Sequence, residues 1–287
     1  MIPTTNPTTN PTTNPTPTPT PTPTPSPSPS PSPSPSPATI IAPWYQLGYI
    51  IPHRQTDLDG YQFYRVAPEG MMLVTTGMDL AEYSLAAVES QLPAFHACVD
   101  LLAKKPVDRI ALSGVPVASV LGRARMRALL AEASERSGIA CDTDLEAHAA
   151  TLQRLGAERI ALASRWPDAV NEALTAYLAQ AGIEVLACRS RSRNLAQNKA
   201  ANPLADHELA IALGSEALEA APRAQALLMP GGLWFAIHAV PVLEAKYDKP
   251  VLLNILSTTA CALRAAGDRV QIGPDPHWGR VLSSACA

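Results

Sequence analysis

The chain has 287 residues, 47% of them apolar and 16% charged, with a net charge of −3. That balance fits a globular protein and argues against nucleic acid as the main partner, which would draw on clustered basic residues. No apolar run approaches the ~20 residues a membrane span needs, Met1-Ile2-Pro3 opens no signal peptide, and five cysteines without paired spacing suit reduced thiols, so a cytoplasmic protein without membrane contact is expected.

Residues 1–37 form a Thr/Ser/Pro-rich tail in which TTNP repeats give way to Thr-Pro and then Ser-Pro dipeptides. It holds 15 of the 29 prolines and no charge, so it has neither the backbone donors for a helix nor the apolar groups for a core. A disordered extension is expected there.

From residue 38 the pattern alternates strands and helices. Leu47–Ile51 reads as a strand running into the polar loop Pro52-His53-Arg54-Gln55-Thr56-Asp57, and Met71–Thr75 as a second strand. Apolar residues from Leu80 to Leu102 follow helical spacing, with Pro93 as a break or kink. Arg109–Leu112 is a third strand ending at Ser113-Gly114-Val115-Pro116, followed by a long helix closed by Gly138. Ile139–Cys141 is a brief strand, and Asp144 a suitable N-cap for the helix through Leu152.

The second half repeats this order. Arg159–Ala163 is a strand ending in Ser164-Arg165-Trp166-Pro167-Asp168, a helix runs to Gly182, and Ile183–Ala187 is a strand. A polar stretch leads into a helix through Leu209 and Leu213. Ala226–Met229 is a buried strand that stops at Pro230-Gly231-Gly232, with helical spacing after it through Ile237, Val240 and Leu243. The strand Val251–Leu253 and a helix from Ser257 to Ala266 finish the pattern.

The repetition predicts an α/β fold of two similar lobes, each a mainly parallel sheet flanked by helices, with a ligand cleft between them. The expected lobes are 38–145, with 255–287 packing back on it, and 146–254. Four loops would meet at the cleft: 52–57, 113–117, 164–168 and 229–233. The Gly231-Gly232 turn reads either as an anion site of free amides at a helix N-terminus or as a plain strand-to-helix turn.

Several segments together resemble a known family: the Ile51-Pro52 loop, Leu112-Ser113-Gly114, Arg159-Ile160-Ala161-Leu162-Ala163, Asp168-Ala169-Val170-Asn171-Glu172, Cys188-Arg189-Ser190, Leu227 through Leu233, and Lys249-Pro250-Val251. In their order and spacing the chain is similar to the aspartate/glutamate racemase superfamily, and within it to the maleate isomerase and arylmalonate decarboxylase branch. The resemblance implies a cofactor-independent protein that holds a small carboxylic acid between two lobes. It also implies a cysteine thiol at one or both Gly-turn strands, acting at the carbon next to a carboxylate. By the same likeness those thiol positions fall here on Gly114 and Pro230, and the hydroxyl-bearing positions on Val115 and Pro116.

What remains for chemistry in the four loops is a different set. His53 is an acid/base candidate or a plain loop residue. Pro52, Gln55, Thr56, Gly114, Val115, Arg165, Trp166, Pro230, Gly231 and Gly232 are the expected ligand-binding residues. Arg165 reads alternatively as a surface charge and Trp166 as a packing anchor. Asp142, Asp144 and Glu146 read as helix capping, since with His148 they lack a metal-ligand spacing. No metal and no cofactor is expected. The expected partner is a small carboxylic acid, with a homodimer left open. Two readings follow: a racemase, isomerase or decarboxylase working without a thiol, or a non-catalytic protein that binds a small acid.

Overall fold

Eight short strands, all in parallel pairs, form two sheets of four in the computed structural model, which describes residues 42–54 and 58–285. The tail 1–37 and the loop residues Gln55 and Thr56 lie outside the described residues. Those that are described belong to one compact unit, Ile40–Ala287.

The first sheet is built from β1 (Tyr45–Ile51), β2 (Met71–Gly77), β3 (Arg109–Leu112) and β4 (Cys141–Thr143), ordered β2-β1-β3-β4. Among them run α1 (Leu58–Val66), α2 (Leu85–Ser90), α3 (Leu92–Leu102), α4 (Val115–Leu121) and α5 (Arg123–Ser137). After β4, α6 (Asp144–Arg154) leads to the second half. The second sheet has β5 (Arg159–Ser164), β6 (Glu184–Ser190), β7 (Ala226–Leu228) and β8 (Val251–Leu252), ordered β6-β5-β7-β8. Its helices are α7 (Asp168–Ala179), α8 (Leu195–Lys199), α9 (Pro203–Ala220) and α10 (Ala239–Tyr247). α11 (Asn254–Ala266) and α12 (Arg280–Ser283) close the chain.

The central strands carry the core because parallel sheets covered on both faces bury every side chain. In β1, Leu47, Tyr49, Ile50 and Ile51 are buried, as are Ile160 to Ala163 in β5 and Ala226 to Leu228 in β7. β1 runs in register with β2 from Tyr45↔Met71 to Ile51↔Gly77, and with β3 from Leu47↔Arg109 to Ile50↔Leu112. The matching orders place a reversal of winding between β1 and β3, and again between β5 and β7. Ligands of open α/β sheets sit at such points, outside the carboxyl ends of the strands.

The two sheets match the α/β expectation, but local structure differs in four places. Residues 58–66 form α1, where no helix was expected. The apolar stretch from Leu80 splits at Gln91 into α2 and α3, with Pro93 in the first turn of α3, where its missing N–H costs nothing. The N-cap of α6 is Thr143, whose hydroxyl accepts from Glu146 N at 3.1 Å, while Asp144 turns into the interior. After β7, α10 begins only at Ala239, so Gly231-Gly232 is a turn and not a helix N-terminus. Among the described residues no helix is long and apolar enough to cross a membrane.

Candidate active site

The carboxyl ends of the four central strands open onto one cavity. β1 supplies Pro52 and His53, β3 supplies Ser113 to Val117, β5 supplies Arg165 and Trp166, and the turn after β7 supplies Gly231 to Leu233. Helix and loop residues complete the wall: Asp59 from α1, Leu195 and Asn198 from α8, and Leu80 and Tyr83 from the segment before α2. Thus Pro52, His53, Gly114, Val115, Arg165, Trp166, Gly231 and Gly232 are brought together, as their loops predict. Pro230 is buried behind the turn and is not among the lining residues.

Arg165 is no surface charge. It is 3% exposed, donates to Asp206 Oδ2 at 2.6 Å, and stacks on the Trp234 ring at 5.1 Å. Burial pulls its pKa down to about 10, opposed by the Asp206 carboxylate, so it stays a cation at neutral pH. Arg193 also reaches Asp206, at 2.7 Å, so the buried carboxylate is shared between two guanidinium groups. The loop holding Arg165 is fixed: the Trp166 carbonyl accepts from Asn171 Nδ2 at 2.9 Å and from Ser190 Oγ at 2.8 Å. Trp166 is buried beside Gly231 and acts as a packing anchor as well as a cavity wall. Asn198 donates to Tyr83 Oη at 3.4 Å, and its own Oδ1 is buried with no hydrogen-bond partner among the described residues.

Gly114 has φ +97°, and a Cβ there would overlap Pro52 Cγ, so two independent constraints bar a side chain at this turn. Four cysteines, Cys98, Cys141, Cys188 and Cys261, fall among the described residues; none lines the cavity. Burial raises the pKa of each, which keeps the thiols protonated.

The turn after β7 departs from its expected role. The Gly231 N–H donates to Asn254 Oδ1 at 2.9 Å and is therefore not offered to a ligand. Asn254 sits in a buried polar network beneath the cavity. Its Nδ2 donates to Asp144 Oδ2 at 2.7 Å, and its Oδ1 also accepts from His148 Nε2 at 3.0 Å. With Nε2 facing the acceptor Asn254 Oδ1, the neutral ring accepts at Nδ1 from Ser257 Oγ, at 2.9 Å. Asp144 further accepts from Thr258 Oγ1 at 2.7 Å and Tyr49 Oη at 3.1 Å. Burial, resisted by these donors, holds the Asp144 carboxyl up at about 6, and burial lowers His148 to about 4. The neighbouring acids have other uses: Asp142 pairs with Arg109 at 2.6 Å and Glu146 with Arg123 at 2.8 Å. Among the described residues no group of three or more His, Cys, Asp or Glu side chains is arranged to hold a metal ion.

Asp59 is the residue that sequence reasoning missed. It is 2% exposed and its carboxylate lies against Gly232, where an added Cβ would overlap both oxygens. One helical turn on, Gln62 Oε1 accepts from the Ala236 and Ile237 amides, both at 3.1 Å, so α1 is bolted to the segment after β7. The signal was a helical spacing of inward residues, Asp59, Gln62, Phe63 and Val66, half of it polar.

Two four-stranded parallel sheets flanked by helices, with the cavity at their carboxyl ends, are the fold that arylmalonate decarboxylase and maleate isomerase structures share with this chain. A profile of the arylmalonate decarboxylase family matches residues 47–274, and the chain belongs to that family. It is 26% identical over 241 residues to arylmalonate decarboxylase of Bordetella bronchiseptica, covering 83% of this chain and 97% of that protein. A solved glycine-to-cysteine, cysteine-to-serine double mutant of arylmalonate decarboxylase in liganded form is 25% identical, with a TM-score of 0.74 over 83% of this chain and 98% of that one. The fold is shared with the maleate isomerase Iso from Pseudomonas putida S16, solved as a variant with maleate, at 18% identity and a TM-score of 0.70, covering 84% of this chain and 98% of that one.

Proposed function

We propose that this chain binds a small carboxylic acid in the cavity and acts at the carbon next to the carboxylate, in the manner of a decarboxylase, isomerase or racemase but without a thiol. The observation that carries this reading is the buried Arg165 guanidinium on a cavity at the central strand ends of an arylmalonate decarboxylase family chain. A carboxylate beside Arg165 gains a charge-assisted hydrogen bond away from bulk water, where such contacts are strongest. Loss of a proton or of CO₂ next to that carboxylate pushes negative charge onto its oxygens, and a fixed cation stabilises the charge as it forms. Leu80, Val115, Leu195 and Leu233 give the cavity apolar walls that suit a hydrophobic substituent on the acid.

A second reading, a non-catalytic acid-binding protein, is favoured by the Gly114 and Pro230 turns, which offer no thiol by the family likeness. One screen separates the two. Phenylmalonate, maleate and related mono- and dicarboxylates should raise the melting temperature of the parent and not of Arg165→Met. Turnover of any binding acid supports the enzyme; binding with no turnover supports the second reading; no binding by any acid defeats both.

A further inference from the structure

We propose that Asp59 is the proton-transferring group of this cavity, taking and returning a hydrogen at the carbon next to the ligand's carboxylate. This rests on the acid-binding reading above and adds the residue that would do the chemistry. Asp59 is the carboxylate among the described lining residues, and it is almost fully buried there. Its place is reserved by the sequence at two points. Gly232 lacks the Cβ that would overlap the carboxylate, and Gln62 fastens α1 to the chain just beyond that glycine. The carboxylate therefore stands at the end of β7, two residues from Pro230, the position to which the family likeness assigns a thiol.

The same placement orients the ligand. With the Gly231 N–H already donated to Asn254 and Asp59 against Gly232, a second carboxylate at this turn would face like charge. The ligand's carboxylate instead goes to Arg165. Its neighbouring carbon is left for Asp59. In proton exchange the C–H bond breaks, an O–H bond forms on Asp59, and the electron pair moves into the ligand carboxylate as an enediolate held by Arg165. Return of the proton to that carbon restores both groups. In decarboxylation Asp59 starts as the carboxylic acid: the C–C bond breaks, CO₂ leaves, the electron pair on carbon takes the Asp59 proton, and the resulting carboxylate is reprotonated from water.

The test uses the full chain in D₂O, with 2-phenylpropionate for exchange and phenylmalonate for decarboxylation, read by proton NMR, and with thermal shift reporting binding. Asp59→Asn should still bind both acids and should lose about 100-fold or more in rate. Asp59→Glu should recover part of it. Gly232→Ala, which crowds the carboxylate without altering it, should also slow both reactions, and it decides the matter if Asp59→Asn does not fold. Asp59→Asn or Gly232→Ala at the parental rate overturns the proposal. Binding by the parent without exchange or decarboxylation overturns it too and leaves acid binding intact; no melting shift with any acid overturns both.

Discussion

Asp144 and His148 both hydrogen-bond Asn254, yet they titrate in opposite senses. The Asp144 carboxyl, raised from 3.8 to about 6, binds its proton more tightly in the fold than in the unfolded chain. Its contribution to stability is full below 3.8 and is lost as pH rises through 6. His148, lowered from 6.5 to about 4, contributes fully above 6.5 and loses that stability as pH falls through 4. Between pH 4 and 6 the two slopes oppose each other, so the parent should change little from this pair. Asp144→Asn should then lose stability on acidification across this window, by up to about 1.4 kcal/mol per pH unit, and His148→Gln should gain it. Urea unfolding across the window tests this, and parallel profiles for all three proteins would refute it. Arg165 makes a separate prediction. Arg165→Met leaves Asp206 buried with one guanidinium in place of two, and should cost about 3 kcal/mol in urea unfolding. A variant as stable as the parent would mean that Arg193 alone suffices.

At the scale of elements, one side chain of α1, Gln62, makes two hydrogen bonds to the second half of the chain. Gln62→Ala would leave the buried amides of Ala236 and Ile237 without an acceptor, at about 1–3 kcal/mol each. The predicted outcome is a lower urea midpoint together with weaker acid binding, since Asp59 rides on the same helix; a variant that keeps both would show that α1 docks by apolar contact alone. The sequence hides this helix for a physical reason. Leu58–Val66 contains Gly60 and two tyrosines, which are weak helix formers, and two of its four buried positions are polar. Only Phe63 and Val66 register as an apolar pattern. The strands and their glycine turns were legible because doubly covered parallel strands must be continuous apolar runs. Asp144 was misjudged in the same way as Asp59. An acid at the start of a helix usually faces solvent, and only tertiary partners, Tyr49 of β1 with Asn254 and Thr258 of α11, draw it inward. Loop residues before a Gly turn were easy to nominate. Which of their amides and side chains face the cavity depended on tertiary contacts from 23 to 175 residues away.

For the whole molecule, the buried core of the described residues lies within 45–285, and the Thr/Ser/Pro composition of residues 1–37 offers almost no apolar area, so removing them should leave the melting temperature within about 1 °C. A fall of several degrees would show that the tail packs on the rest. The winding of the two sheets was visible as a repeat in the sequence; the polar contacts that α11 brings to the first half were not. α11 returns from the second sheet to α6, and Asn254, Ser257 and Thr258 meet Asp144 and His148 from 106 to 114 residues away. This has a consequence for the order in which the protein is made. A ribosome adding about 5–20 residues per second needs roughly 5–20 s to deliver α11 after α6 has been synthesised. Through that interval the nascent first half carries an acid and a histidine whose burial would go largely uncompensated, so its final closure waits for the last part of the message. Stalled chains ending near residue 250 should be cut by protease throughout the first sheet, whereas chains extended far enough to clear α11 from the exit tunnel should resist.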